Sequence, residues 1–382
     1  MSVTGQILLS SNPNVVLSYL DSGPPKSSES SYETIILIHG NSFGNAIFKR
    51  LLPFNTQNNI RIIAPSRRGF PGSTALSEEE RNFFIGDEDE DDSALNARKE
   101  QILELRGVEI LQFIDGIIQR LGIPPIQNND DNNSPKEALR NRKGGIALIG
   151  WSLGSTFTLA AMANADSSLI SEEMRERIGK HLRTHVMLEP ALTSIGLPLP
   201  PSTWFPLRDP TIPLPSRAPL FTHLVTGYFT YSKDALTNRD LATVLGTIVP
   251  DISRVPTIYT FTEAEHADIV ILTPESSIDL YFSKVLRRQL RNAYLKVCFD
   301  GQLKTGPALK NMRNMIWEVL GDRSYSLVWP TFWEMEDDDE KHGEGENGRL
   351  FKFVVVDGVN HFMHWDEPEK TMKVFRNILD AS

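Results

Sequence analysis

Ile146-Ala147-Leu148-Ile149 runs directly into Gly150-Trp151-Ser152-Leu153-Gly154, and small, helix-compatible residues follow over 155–165. Four apolar residues without alternation describe a strand buried on both faces. The five residues after them read G-x-S-x-G in the strand–turn–helix setting that gives the pattern meaning. A turn this tight admits only small residues two places before and after the serine, and Gly150 and Gly154 stand there. The bend would lift Ser152 above the sheet edge and aim a helix N-terminus at it, where the dipole favours developing negative charge.

Further strands lie outward from this centre. Residues 34–38, 60–64, 185–188 and 351–356 are near-continuous apolar runs, and 6–9 and 15–20 are short alternating runs of a hairpin or meander. Between them, Ile102, Leu105, Val108, Leu111, Ile114, Ile118 and Leu121 recur three and four apart, so a helix is expected over 95–121, stopped by Gly122. Apolar strands alternating with helices imply a mostly parallel sheet covered on both faces.

The alternation breaks over residues 191–309, which open with dense prolines and continue with Phe221, Tyr228, Phe229, Tyr231, Tyr281 and Phe282. Thr262-Glu263-Ala264-Glu265 is a capping box, so a helix should start there rather than a strand continuing through 255–261. This block reads as a helical insertion, and the aromatics suit either an apolar substrate or the insertion's own packing. The chain divides into core residues 1–190, a cap or lid over 191–309, and core residues 310–382. Acidic or polar stretches over 87–92, 128–143 and 334–348 read as solvated surface loops.

The chain has 382 residues, one cysteine (Cys298) and 49 acidic against 39 basic residues, a net charge of −10. That charge argues against a general binder of nucleic acid or anionic membrane. A single cysteine excludes an intramolecular disulfide and a cysteine-rich zinc site. Neither a secretory signal nor about 18 consecutive apolar residues is apparent, so a soluble, cytoplasmic protein without stable membrane insertion is expected. Oligomeric state is not legible.

A serine hydroxyl needs a base to take its proton. His361, in Val356-Asp357-Gly358-Val359-Asn360-His361-Phe362, follows the last buried run and precedes a terminal helix over 368–379, which places it at the same sheet edge as Ser152. His364 is the reserve. His39 ends a strand and reads as a structural turn residue, and His266 reads as solvated.

Taken together, His39-Gly40, the 150–154 elbow and Gly358-x-Asn360-His361-Phe362 resemble the α/β-hydrolase superfamily in content and order. The resemblance implies a mostly parallel eight-strand sheet with helices on both faces and a helical cap inserted after the sixth strand. It also implies oxyanion donors at the backbone N–H groups of Asn41 and Leu153. In most of that superfamily the acid follows the seventh strand, here expected over 312–320; Ser324 occupies its usual place, with Asp322 nearby. Some subfamilies, haloalkane dehalogenases among them, carry the acid after the sixth strand, where Leu188-Glu189-Pro190 stands. Glu189 is favoured, with Asp322 as alternative. His39-Gly40-Asn41-Ser42 also resembles the dehalogenases, but they use an aspartate nucleophile where this chain has Ser152. A serine points to acyl transfer without a cofactor or metal. The expected activity is hydrolysis of a carboxylic ester or related acyl bond in an apolar small molecule. The alternative is a small-molecule-binding protein that retains the constellation without turnover.

Overall fold

In a computed structural model of the chain, residues 3–11, 13–26, 31–85, 93–127, 142–312, 316–342 and 351–382 are described. Eight strands form one sheet: β1 (Val3–Ser11), β2 (Asn14–Asp21), β3 (Glu33–Ile38), β4 (Ile60–Pro65), β5 (Ile146–Trp151), β6 (Leu182–Leu188), β7 (Ile316–Gly321) and β8 (Phe351–Val356). Their spatial order is β1-β2-β4-β3-β5-β6-β7-β8. β1 and β2 pair antiparallel, as do β2 and β4; every other pairing is parallel. Every residue of β3 to β7 is buried, as two-sided cover demands.

Alternate side chains feed two cores. Ile36, Ile38, Leu148 and Met187 pack towards the helices Ser93–Leu121, Gly154–Ala163 and Arg287–Phe299. Ile35, Leu37, Ile149 and Leu188 face the opposite layer, which includes Val328–His342 and Pro368–Asp380. The expected eight-strand, mostly parallel sheet with helices on both faces is therefore present.

Between β6 and β7 the described residues include no sheet strand. Their helices include Leu214–Val225, Glu263–Ile269, Pro274–Val285 and Arg287–Phe299. The capping box at Thr262 forms in both directions and starts Glu263–Ile269, and the stretch before it is a 3₁₀ turn, Thr257–Thr260.

Two expectations need correction. The seventh strand is described over Ile316–Gly321 and does not include Met312, which packs into the core ahead of it. The acidic stretch beginning at Glu334 is not a loop through its first part, because it continues the helix Val328–His342. Asp338 takes two hydrogen bonds from Arg291, and Asp339 Oδ1 accepts from the Phe351 N–H, so both acids are tied into the fold. The expected loops at 87–92 and 128–141, and the remainder of 334–348 beyond His342, lie outside the described residues.

Candidate active site

β5 ends at Trp151, and Ser152 adopts φ 54°, a left-handed conformation that costs a non-glycine residue about 1–3 kcal/mol. Both flanking glycines are sterically required. A Cβ on Gly150 would lie 2.5 Å from Ser155 Cα, and one on Gly154 would overlap the Ile38 carbonyl. The Ser152 N–H donates to Leu188 O at 2.8 Å, which ties the bend to the end of β6.

Just past that end, Glu189 is also left-handed, at φ 57°, and is fully buried. Its N–H donates to Val319 O at 2.8 Å, which turns the side chain across the end of β7. There Glu189 Oε2 lies 3.0 Å from His361 Nδ1. Glu189 Oε1 accepts from the Gly321 N–H and, at 2.7 Å, from Ser324 Oγ. A buried carboxylate with three hydrogen-bond donors is satisfied without a solvent contact. Asp322 is directed elsewhere: its Oδ1 accepts from the Gly358 N–H at 2.6 Å. The structure thus joins His361 to Glu189 and gives Asp322 to the turn after β8.

His361 is held through its backbone. The Trp151 indole N–H donates to His361 O at 3.0 Å, and the two rings lie 5.3 Å apart. Next to it, buried Asn360 donates to Thr226 O at 3.0 Å and to Thr257 Oγ1 at 2.9 Å, which fastens this loop to the segment between β6 and β7. With Nδ1–H donated to Glu189, Nε2 is the nitrogen left for chemistry. No hydrogen bond joins Ser152 Oγ to the His361 ring among the described residues; contacts of this kind can tighten only when substrate is bound.

Neither the Asn41 nor the Leu153 N–H has an acceptor among the described residues. Both residues line a cavity of about 550 Å³ together with Ser152. Ligand cavities run from about 300 to 1,000 Å³. Leu199, Phe205, Leu207, Phe221 and Leu327 contribute apolar wall, and the ring of Tyr325, which also lines the cavity, lies 5.4 Å from that of His361.

The six aromatics singled out between β6 and β7 divide between two roles. Phe221 and Tyr281 line the cavity. Phe282 stacks on Phe157 with centroids 5.0 Å apart, Phe229 is core, and the Tyr228 and Tyr231 hydroxyls donate to Asp366 and Ser324 O.

The three other histidines weighed in the sequence lie in different settings. His39 is buried; its Nε2 accepts from the Arg67 N–H at 3.0 Å and its Nδ1 faces Gly40 O at 3.1 Å. Burial, reinforced by the Arg67 charge, pushes its pKa well below the usual value, so the ring is neutral. His364 is enclosed by Phe48, Trp151 and Phe362, and burial likewise keeps it uncharged. His266 is exposed. Sequence reasoning did not find the parts played by Ser324, Trp151 and Asn360. The small polar residue at the usual acid position was the one available hint, for Ser324.

Among the described residues no group of three or more His, Cys, Asp or Glu is arranged to hold a metal ion, and no helix is long and apolar enough to cross a membrane.

The model of the alpha/beta hydrolase family matches residues 35–374. No curated protein matches the chain in sequence. Among solved structures, a bromoperoxidase from Bacillus anthracis is 12% identical with a TM-score of 0.48, covering 99% of each chain. An esterase from Thermogutta terrifontis is 14% identical with a TM-score of 0.49, covering 98% of this chain and 97% of its own. An epoxide hydrolase from Solanum tuberosum is 11% identical with a TM-score of 0.49, covering 99% and 98%. At such identities nothing about substrate transfers from them.

Proposed function

This chain belongs to the alpha/beta hydrolase family, and from that premise we propose that it is a serine hydrolase cleaving a carboxylic ester or related acyl bond. The observation that carries the reading is the 3.0 Å contact of His361 Nδ1 with buried Glu189, near a cavity lined by Ser152, Asn41 and Leu153.

In this mechanism Ser152 Oγ attacks the carbonyl carbon while His361 Nε2 takes its proton. Glu189 orients the ring and stabilises the imidazolium that forms. The carbonyl oxygen, now an oxyanion, receives the Asn41 and Leu153 N–H groups, and removal of one such donor typically costs about 10²–10³ in rate. Collapse expels the alcohol, which takes the proton from His361 and leaves an acyl group on Ser152. Water then attacks with His361 again as base, and the acid departs. An aspartate nucleophile, needed to form an alkyl ester in dehalogenation or epoxide opening, is absent from the elbow, which favours acyl transfer. The helical residues 191–309 act as the cap, and their apolar wall selects an apolar substrate portion.

A fluorophosphonate probe tests the proposal. Wild type should label at Ser152, Ser152→Ala should not, and Glu189→Gln should label far more slowly. Absence of labelling in wild type, with a small molecule still held in the cavity, would instead support a binding protein.

A further inference from the structure

Arg67 follows β4 in a turn-rich loop, yet only 4% of it is exposed. A buried guanidinium requires partners on every edge. Along one edge, Nε donates to His39 O at 3.0 Å and Nη2 donates to Gly40 O at 2.9 Å. Along the other, Nη1 and Nη2 donate to the two carboxylate oxygens of Asp279 at 3.0 and 2.5 Å. Asp279 belongs to the helix Pro274–Val285 and lines the same cavity as Ser152. Phe70 and Phe157 cover the guanidinium faces, with ring centroids 4.7 and 4.3 Å away.

The Gly40 carbonyl and the Asn41 N–H belong to one planar peptide unit and point in opposite directions when it is trans. A clamp on the Gly40 oxygen therefore sets the direction of the Asn41 N–H. His39 Nδ1 supports the same oxygen at 3.1 Å. Ser42, two residues on, is left-handed at φ 62°, so this loop holds an unfavourable conformation that something must maintain.

We infer that Arg67 is a positioning residue for the oxyanion hole: its fork fixes the Gly40–Asn41 peptide so that the Asn41 N–H faces the carbonyl oxygen of the substrate, while Asp279 ties that geometry to the helix Pro274–Val285 of the cap. The inference rests on the serine-hydrolase reading, because fixing the Asn41 N–H has this use only if an oxyanion forms in the cavity. Arginine suits the position because lysine cannot offer a planar fork to two successive carbonyls and a carboxylate at once.

The test compares Arg67→Lys and Arg67→Met with wild type on a p-nitrophenyl ester and on an alkyl trifluoromethyl ketone, which adds to a serine as a tetrahedral oxyanion. Each measurement is normalised to the folded fraction from a thermal melt. Loss of alignment should lower kcat by roughly 10- to 100-fold and weaken the ketone by a similar factor, with KM moving by less than about threefold. Arg67→Lys keeps a cation for Asp279 and supplies the comparison if Arg67→Met does not fold. Unchanged kcat in the lysine variant, or a fall in kcat with ketone affinity intact, would overturn the inference and leave the serine-hydrolase reading standing. A wild type that neither turns over the ester nor binds the ketone would overturn both.

Discussion

Glu189 shows how much of the site depends on one backbone angle. At φ 57° its carboxylate crosses the end of β7 to His361; in an extended conformation the same residue would continue the line of β6. Sequence alone left Glu189 and Asp322 in competition because both stand at strand ends, and only φ decides which carboxylate turns inward. Glu189→Gln should lower kcat by up to about 10⁴-fold. Asp322→Asn should leave kcat within a few-fold and cost about 1 kcal/mol of stability by weakening the bond from the Gly358 N–H. Steady-state kinetics with a chemical-denaturation curve for each variant checks both. Ser324 stands where an acid was sought and donates to Glu189 instead. The motifs around Ser152 and His361 were legible because their demands are local. Asn360 and Arg67 were not, since their partners lie 103 and 212 residues away in sequence.

Among the elements, the β5–helix bend was readable at the level of single glycines. Gly154→Ala would drive a methyl group into the Ile38 carbonyl at the centre of the sheet, and Gly150→Ala would meet Ser155 Cα. Each should cost about 1–3 kcal/mol and displace Ser152, so melting temperature and fluorophosphonate labelling should fall together. β7 carries a different burden. Glu318 lies mid-strand, 1% exposed, with no hydrogen-bond partner for either carboxyl oxygen among the described residues. Burial, aided by Glu336 and Glu189, pushes its pKa well above 4.5. An unfolded chain ionises this group at its ordinary pKa, whereas the folded protein keeps it protonated to higher pH. Stability is therefore lost as pH rises from the ordinary carboxyl range through the raised pKa. Glu318→Met should raise the melting temperature, and the gain should be larger near pH 8 than near pH 4.5. Equal gains at the two values would contradict this reading. An apolar-strand pattern gave no warning of Glu318, because one acid in a buried run looks like a solvent-facing position. The helix Val328–His342 was not legible in the sequence, and its acidic half reads there as a loop for a related reason: Asp338 and Asp339 are polar by type yet held by Arg291 and the Phe351 N–H.

At the scale of the whole molecule, the parallel sheet and its two-sided cover were legible because parallel sheets leave a continuous apolar signature, whereas the spatial order of the strands was not. The helical stretch between β6 and β7 was legible as an interruption of that signature, but not its internal arrangement, which depends on packing between distant segments. The cavity of about 550 Å³ bears on substrate size. Each methylene buried against Leu199, Phe205, Leu207 and Phe221 should raise kcat/KM by roughly fourfold, from about 0.8 kcal/mol per group, until the space is filled. A series of p-nitrophenyl esters of increasing acyl length measures this, and a flat response would show that the wall does not contact the acyl chain. On the proposed mechanism Ser152 carries an acyl group between two steps. Rapid acid quench of the protein with a slowly deacylating p-nitrophenyl ester, followed by mass analysis of its peptides, reads that species directly. A single acyl adduct on the peptide containing Ser152, absent in Ser152→Ala, is the predicted result; ester turnover with no adduct there, or with the adduct on another residue, would contradict it.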